Sequence, residues 1–136
     1  MITIKFVTTV NEPAVLALYE ANGWIAYTQN PEALMVAIAH SVNIAAFDDD
    51  KLVGLLRYVT DEVSIAFIQD ILVLPDYQRR GIGGNLMKTA MQRLKNIGQV
   101  HLLTDNEPKT IGFYTSVGFR NAADANLVTF TMENRY

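Results

Sequence analysis

The sequence predicts a single α/β domain in which helices flank a central mixed sheet, and three observations lead to this prediction. Half of the 136 residues are apolar and 18% are charged, a balance typical of a folded chain rather than a disordered one. A chain of this length buries roughly two-thirds of its unfolded surface within one domain, here residues 1–136. The β-prone runs and amphipathic helical patterns follow each other in the order βααβββαβαβ.

The first half of the chain predicts a strand, two helices and a hairpin. After an opening strand-like alternation, Asn-Glu-Pro at 11–13 and Asn-Pro at 30–31 each begin a helix. Asparagine supplies the capping oxygen, and proline is harmless in the first turn. Two β-prone runs, 44–47 and 52–58, are joined by Asp48-Asp49-Asp50-Lys51, whose residues favour a tight turn.

The second half begins with an apolar segment, 63–74, that is long for one strand. Gln69-Asp70 interrupts the segment and predicts a bend or a bulge there. The remaining predicted elements are a helix over 84–97, a strand over 100–103, a helix over 107–117 and a last strand over 127–132.

A glycine-rich segment, Gln78–Gly84, connects the long strand and Pro75 to the helix that follows. Its glycines permit positive φ angles and close backbone approach, and the helix start directs free N–H groups towards an anion. The Rossmann fingerprint would require glycine at Leu86, and a P-loop would require lysine at Asn85. The segment therefore predicts a pyrophosphate-binding turn of another kind, Gln-x-x-Gly-x-Gly.

This turn has Leu72-Val73-Leu74-Pro75 before it and Phe113-Tyr114 and Gly118-Phe119 after it. On these motifs, over residues 63–120, the chain resembles the GNAT superfamily of acyl-CoA N-acyltransferases. The resemblance implies a mixed, mostly antiparallel sheet of about 6–7 strands, flanked by about four helices and splayed at the acyl-CoA site. It also implies direct transfer of the acetyl group of acetyl-CoA, the co-substrate, to a primary amine of a small molecule or peptide. A non-catalytic acyl-CoA-binding or sensor domain of the same fold is the alternative.

The resemblance assigns the donor site chiefly to backbone groups. The pantetheine arm would pair with the end of the long strand, at Ile71, Leu72 and Val73. The pyrophosphate would lie on the turn formed by Gln78, Arg79, Arg80, Gly81, Ile82, Gly83 and Gly84. Asn106 matches a position where relatives often bond the pantetheine, and capping of the next helix is the equally weighted alternative.

The catalytic candidates also come from the resemblance. Tyr114 matches the tyrosine that many relatives use as a general acid, because a phenol is protonated at neutral pH; packing is the alternative. Asp70 is the candidate general base. The alternatives are that its carboxylate accepts backbone hydrogen bonds at a bulge, or that the amine is deprotonated through a chain of water molecules. Trp24 and Tyr27 lie in the region that covers the acceptor pocket in the family, although packing is the favoured role for such aromatics.

Composition sets further expectations. The net charge is −3 and the basic residues are scattered, which disfavours a nucleic-acid partner. No apolar run approaches the ~20 residues of a membrane span. The chain has no cysteine and no pattern of a signal peptide, so we expect a cytoplasmic protein without a metal. Exposed sheet edges make a homodimer reasonable, and the identity of the acceptor stays open.

Overall fold

A computed structural model describes residues 1–134 of the chain. These residues form two compact units, Met1–Leu103 and the segment that begins at Thr104. The predicted single domain over residues 1–136 stays a prediction. No helix within residues 1–134 is long and apolar enough to cross a membrane.

The first unit contains a five-stranded sheet in the order β1-β2-β3-β4-β5. Its strands are β1 (Ile2–Val7), β2 (Val42–Asp48), β3 (Lys51–Thr60), β4 (Ile65–Val73) and β5 (Gln99–Leu102). The first three pairings are antiparallel, and β4 pairs with β5 in parallel. The mixed, mostly antiparallel sheet is therefore confirmed, with five strands rather than 6–7 in the described residues.

Residues 1–134 contain five α-helices, one more than expected. They are α1 (Glu12–Ala21), α2 (Ile25–Thr28), α3 (Pro31–Ala39), α4 (Ile82–Arg93) and α5 (Pro108–Ser116). Both predicted caps of the first half are confirmed, since Asn11 Oδ1 accepts the Ala14 N–H at 3.0 Å and Asn30 Oδ1 accepts the Ala33 N–H at 3.2 Å. The additional helix, α2, is a single turn between the two capped helices.

The helices of the first unit cover both faces of the sheet. Helices α1 and α3 pack against one face of strands β2, β3 and β4. Helix α4 packs against the opposite face of the same strands. The first face carries the core cluster Val15, Leu18, Tyr19, Leu34, Ile38, Ala45, Leu52, Leu55 and Leu72. A Cβ added at Gly54 would lie 3.2 Å from Leu86 Cδ1, so this glycine lets α4 approach β3 closely.

Two turns set the ends of the central strands. Strand β2 ends at Asp48 and β3 begins at Lys51, with Asp49 at φ 53, which confirms the predicted tight turn. Strand β4 begins at Ile65 rather than at 63. The reason is that Asp61 Oδ1 accepts the N–H groups of Val63 and Ser64 at 2.9 and 2.8 Å and so holds a turn there.

The predicted last strand over 127–132 is wrong, because these residues form no strand. A strand is stable only when its backbone pairs with a neighbour, and no strand among residues 1–134 pairs with this run. Side chains at both odd and even positions of this run are exposed, with Leu127 at 56% and Phe130 at 93%. The β-prone composition of this run therefore predicts a strand, but the described residues provide no neighbouring strand with which it pairs.

Candidate functional site

Strand β4 contains the bulge that its sequence predicts. Tyr58 pairs with Ile68 and Arg57 pairs with Asp70, so Gln69 is one extra residue on β4. A bulge bends the strand and redirects the side chains beside it. Gln69 is exposed, whereas Asp70 lies inside the sheet and is 3% exposed.

The bulge coincides with the point where β4 leaves its neighbour. Strand β5 pairs only with Ile65–Ile68, ending at the pair Ile68 and Leu102, while β4 continues to Val73. Along residues 70–73 the other edge of β4 stays paired with β3. Alternate backbone groups of this stretch consequently face a side that holds no strand partner in the described part of the chain. This is the splay that the fold class predicts.

The glycine turn follows the open end of β4 directly. Arg79 has φ 65 and Gly81 has φ 79, so two residues of the turn adopt the left-handed region. For arginine this conformation is uncommon, and such strain concentrates at functional sites. Helix α4 begins at Ile82, two residues earlier than predicted, and ends at Arg93. Gly83 and Gly84 therefore lie in its first turn, whose N–H groups have no partner within the helix.

Side chains anchor this turn to the strand. Gln78 Nε2 donates to the Val73 carbonyl at 3.1 Å, and Asn22 Nδ2 donates to the same oxygen at 3.2 Å. The guanidinium of Arg80 lies over the Tyr77 ring at 4.8 Å. Within residues 1–134, Arg79 is exposed and forms no ion pair. The side chain of Gln78 thus anchors the turn to β4, and the charge of Arg79 is exposed to solvent.

The Asp70 carboxylate joins three other elements through hydrogen bonds. Its Oδ2 accepts from Arg57 Nε at 2.6 Å and from the Tyr19 hydroxyl at 2.8 Å. Its Oδ1 accepts from the Tyr27 hydroxyl at 3.2 Å. Arg57 Nη1 also donates to Ser41 Oγ at 3.1 Å. We call Arg57, Asp70, Tyr19 and Tyr27 the Asp70 network.

Burial affects the pKa values of two members of this network, Tyr19 and Arg57. Desolvation by burial, followed by the negative charge of Asp70, raises the pKa of Tyr19 well above its usual range. Burial is the largest single influence on Arg57 and lowers its pKa, but the charges and hydrogen bonds of Asp70 and Tyr19 together outweigh burial, so the pKa is raised. Tyr19 is therefore a neutral donor and Arg57 a permanent cation at neutral pH.

Three aromatic rings lie beside the network. The Tyr19 ring is 5.2 Å from that of Tyr27 and 5.8 Å from that of Trp24, both edge to face. Tyr19 is fully buried, Tyr27 is half-buried and Trp24 is 36% exposed. Gln69 Nε2 donates to the Tyr27 hydroxyl at 3.3 Å. The cluster thus packs, as the sequence favours, and still presents Trp24 and Tyr27 to the surface.

The second unit carries Tyr114 and Asn106. Tyr114 lies on α5 and contacts the rings of Phe113 at 5.0 Å and Phe119 at 6.2 Å. Burial raises the pKa of Tyr114, against a smaller lowering by a hydrogen bond with Thr104. The capping role of Asn106 is wrong, because the N-cap of α5 is Glu107, which makes no side-chain cap. The proline that follows fixes φ at the first helical position, so α5 begins one residue later than the motif predicts.

Sequence reasoning did not single out Arg57 or Asn22 as members of the site. A signal for Arg57 exists: it is one charge inside the otherwise apolar run 52–58, and a charged residue in a buried strand requires a partner. Asn22 follows α1, and no local pattern indicates its bond to Val73, 51 residues away. Within residues 1–134, no three His, Asp or Glu side chains are grouped as metal ligands; the expected absence of a metal stays a prediction.

Comparison with known proteins supports one family. The sequence model of the acetyltransferase (GNAT) family matches residues 14–119. A GNAT-family acetyltransferase from Streptococcus pneumoniae TIGR4 is 43% identical, with a TM-score of 0.88 and full coverage of both chains. A putative acetyltransferase from Xanthomonas campestris pv. campestris shares the fold at 23% identity and a TM-score of 0.75, over 96% of this chain and 94% of the other.

A curated sequence relative is the chloroplastic GCN5-related N-acetyltransferase 2 of Arabidopsis thaliana. It is 33% identical over an alignment of 100 positions, which covers 62% of this chain and 38% of the relative. An uncharacterized N-acetyltransferase, ycf52, of Gracilaria tenuistipitata var. liui is 28% identical over 85% of this chain and 65% of its own length. The chain therefore spans less than half of the first relative and about two-thirds of the second.

Proposed function

The chain belongs to the acetyltransferase (GNAT) family, and from this premise we propose that it transfers the acetyl group of acetyl-CoA to a primary amine of a small molecule or peptide. Transfer is direct, within a ternary complex. The observation that carries the proposal is the open end of β4 leading into the glycine turn and the N-terminus of α4. A cysteine-free chain is suited to the cytoplasm, which we propose as its compartment.

The residues of the first unit fit an acyl-CoA donor. The N–H groups of the first turn of α4, together with the helix dipole, supply a site for the pyrophosphate. A Cβ at Gly84 would meet nothing within 4 Å, so open space lies beside this backbone. Arg79 adds a charge, while Ile71, Leu72 and Val73 offer backbone groups with which the pantetheine arm can pair as an added strand. The bound co-substrate supplies an activated acetyl thioester.

The proposed reaction requires two proton transfers. The amine nitrogen bonds to the acetyl carbon and the carbon–sulfur bond breaks, so the nitrogen gives up a proton and the departing thiolate gains one. A backbone N–H near Leu72 or Val73 stabilises the charge that develops on the carbonyl oxygen. Tyr114, protonated at neutral pH, donates a proton to the sulfur and recovers one from water. Asn106 remains proposed as a hydrogen-bonding partner of the pantetheine.

The acceptor side of the proposed site is aromatic. The side chains of Trp24 and Tyr27 are partly exposed beside the β4 bulge. Such rings contact the apolar part of an amine and attract a cation. We therefore assign Trp24 and Tyr27 to acceptor binding.

Thermal unfolding with and without acetyl-CoA tests the donor site first. Ligand at ~100 times its Kd adds roughly 2.7 kcal/mol, which for this length raises the Tm by about 9 °C. ATP at the same concentration is the control, and an equal rise with ATP would contradict the assignment. A panel of arylalkylamines, polyamines, amino sugars and lysine peptides, followed by release of coenzyme A thiol, then tests turnover. Binding without turnover over the whole panel would favour the sensor alternative.

The acid role of Tyr114 has its own test. Tyr114→Phe removes the phenolic proton and keeps the ring that packs on Phe113 and Phe119, so we expect kcat to fall about 10²-fold with acetyl-CoA affinity unchanged. Steady-state kinetics and calorimetric titration measure the two quantities. Tyr58→Phe, at a tyrosine buried in β3, is the matched control. An unchanged kcat in Tyr114→Phe would remove Tyr114 from the mechanism.

A homodimer is also part of the proposal. The run 127–132 exposes Phe130 at 93% and Met132 at 84%, and exposed apolar runs of this kind commonly meet a partner. A second copy of the chain would cover them. Sedimentation velocity of the wild type and of Phe130→Ser distinguishes a dimer that depends on this run from a monomer in both.

A further inference from the structure

The Asp70 carboxylate is already surrounded by donors. It is the one buried carboxylate within residues 1–134, and it accepts hydrogen bonds from Arg57, Tyr19 and Tyr27. The two oxygens of a carboxylate offer about four lone-pair sites. With three of them occupied, and only 2% of the side chain exposed, little of Asp70 is left to accept a proton from a substrate.

Protonation would also leave a buried cation without its partner. The Arg57 side chain is 7% exposed, and a guanidinium keeps its charge at any pH near neutrality. A buried charge that loses its counter-charge is strongly unfavourable. A general base must accept a proton in every turnover, so the pairing with Arg57 works against that role for Asp70.

The same hydrogen bonds allow Asp70 to hold neighbouring side chains in place. It holds the hydroxyl of Tyr27, which in turn accepts from Gln69 at the bulge. The Tyr27 ring lies 6.2 Å from that of Trp24, and the Tyr27 N–H donates to the Trp24 carbonyl at 3.3 Å. Asp70 therefore ties the short helix α2, with both proposed acceptor-binding rings, to the point where β4 opens.

Building on the acetyltransferase function proposed above, we propose that Asp70 is a positioning residue that fixes Tyr27 and the β4 bulge, and that the acceptor reacts as its free amine. The acceptor ammonium loses one proton to water before attack. The nitrogen loses a second proton to water as the carbon–nitrogen bond forms, and the sulfur receives its proton from Tyr114. No protein carboxylate changes its protonation state in this scheme.

The wild-type enzyme provides the first test. The probes are the best acceptor of the amine panel and a fluorinated analogue whose amine has a lower pKa. We expect the rising limb of kcat/KM against pH to move to lower pH with the analogue, by the difference between the two amine pKa values. A limb that stays at one pH for both amines belongs to a group on the enzyme and would overturn the proposal.

Variants separate positioning from catalysis. Asp70→Asn should raise the acceptor KM and lower kcat by less than about tenfold. The rising limb of kcat/KM against pH should stay at the same pH. Removal of a general base, by contrast, costs about 10²-fold or more in kcat. Tyr27→Phe should raise the same KM, and the double variant should add little, because the two residues act through one hydrogen bond. Tyr19→Phe, which removes a donor that is fully buried, should raise KM less. A loss of 10²-fold in kcat with Asp70→Asn, or additive effects, would contradict the proposal.

A third measurement requires no acceptor. Trp24 is the one tryptophan of the chain, so its quenching by acrylamide reports on the aromatic cluster alone. Asp70→Asn should raise the quenching constant, and Asp61→Asn, in the exposed turn before β4, should not. Unchanged quenching in folded Asp70→Asn would overturn the positioning role. If that variant does not fold, the pH profiles of the wild-type enzyme with the two amines still test whether the acceptor reacts as its free amine. The acetyl-CoA thermal shift, measured in parallel, shows separately whether the donor site stands.

Discussion

The bulge of β4 and the glycine turn before α4 are neighbours along the chain, yet they satisfy their polar groups in opposite ways. At the bulge, Asp70 is buried and accepts hydrogen bonds from side chains of three elements. At the turn, Arg79 and Gly81 hold left-handed backbone, and the first N–H groups of α4 have no partner within the helix. The carboxylate of Asp70 has its hydrogen-bond partners within the protein, whereas the first N–H groups of α4 are left for solvent or a bound anion. The first region is therefore held rigid by its own hydrogen bonds, and the second has backbone donors available for a ligand.

Removal of the cation at the bulge should have the largest effect. Arg57→Met leaves Asp70 buried without its counter-charge, so we expect the free energy of unfolding to fall by about 3–5 kcal/mol. Urea unfolding followed by circular dichroism measures the change. Arg93→Met is the matched control, because Arg93 is exposed and lies 4.0 Å over the Phe6 ring, a contact worth about 0.5–1 kcal/mol. Equal losses in the two variants would mean that the bulge owes little to its ion pair.

A side chain in the glycine turn should break binding and spare the fold. Gly83→Val places a branched side chain in the first turn of α4, where the proposed pyrophosphate approaches the backbone. We expect acetyl-CoA affinity to fall at least ~100-fold, or about 2.7 kcal/mol, while the far-ultraviolet spectrum stays that of the wild type. Isothermal titration calorimetry measures the affinity. Undiminished binding in the folded variant would refute the assignment of the turn.

The two regions also differ in what the sequence reveals about them. The glycine turn is specified locally, since Gly81, Gly83 and Gly84 stand beside one another and the positive φ at Gly81 is a property of that position. The bulge is predictable too, because Gln69-Asp70 interrupts an apolar run. In both cases a short stretch of sequence contains the physical cause, so both features could be predicted without the structure.

The partners at the bulge are not local. Arg57 meets Asp70 through the register of the β3 and β4 pair, and Tyr19 reaches the same carboxylate across 51 residues. A pattern in the sequence shows that a charge in β3 requires a partner, but the partner is chosen by register and helix packing. The predicted strand over 127–132 fails for a related reason: β-propensity describes the segment, and pairing depends on the rest of the chain.

The smallest effect provides the sharpest contrast, because stability and binding should change in opposite directions. Gly84→Ala places a methyl group in a helix at a position where nothing lies within 4 Å, so unfolding should become about 0.5–1 kcal/mol more costly. If the open space belongs to the pyrophosphate, acetyl-CoA affinity should fall at the same time. Gly112→Ala in α5 is the matched control, since that glycine is helical and equally unobstructed; it should gain the same stability and keep its affinity. If Gly84→Ala raised both the free energy of unfolding and the acetyl-CoA affinity, ligand binding would not require glycine at this position.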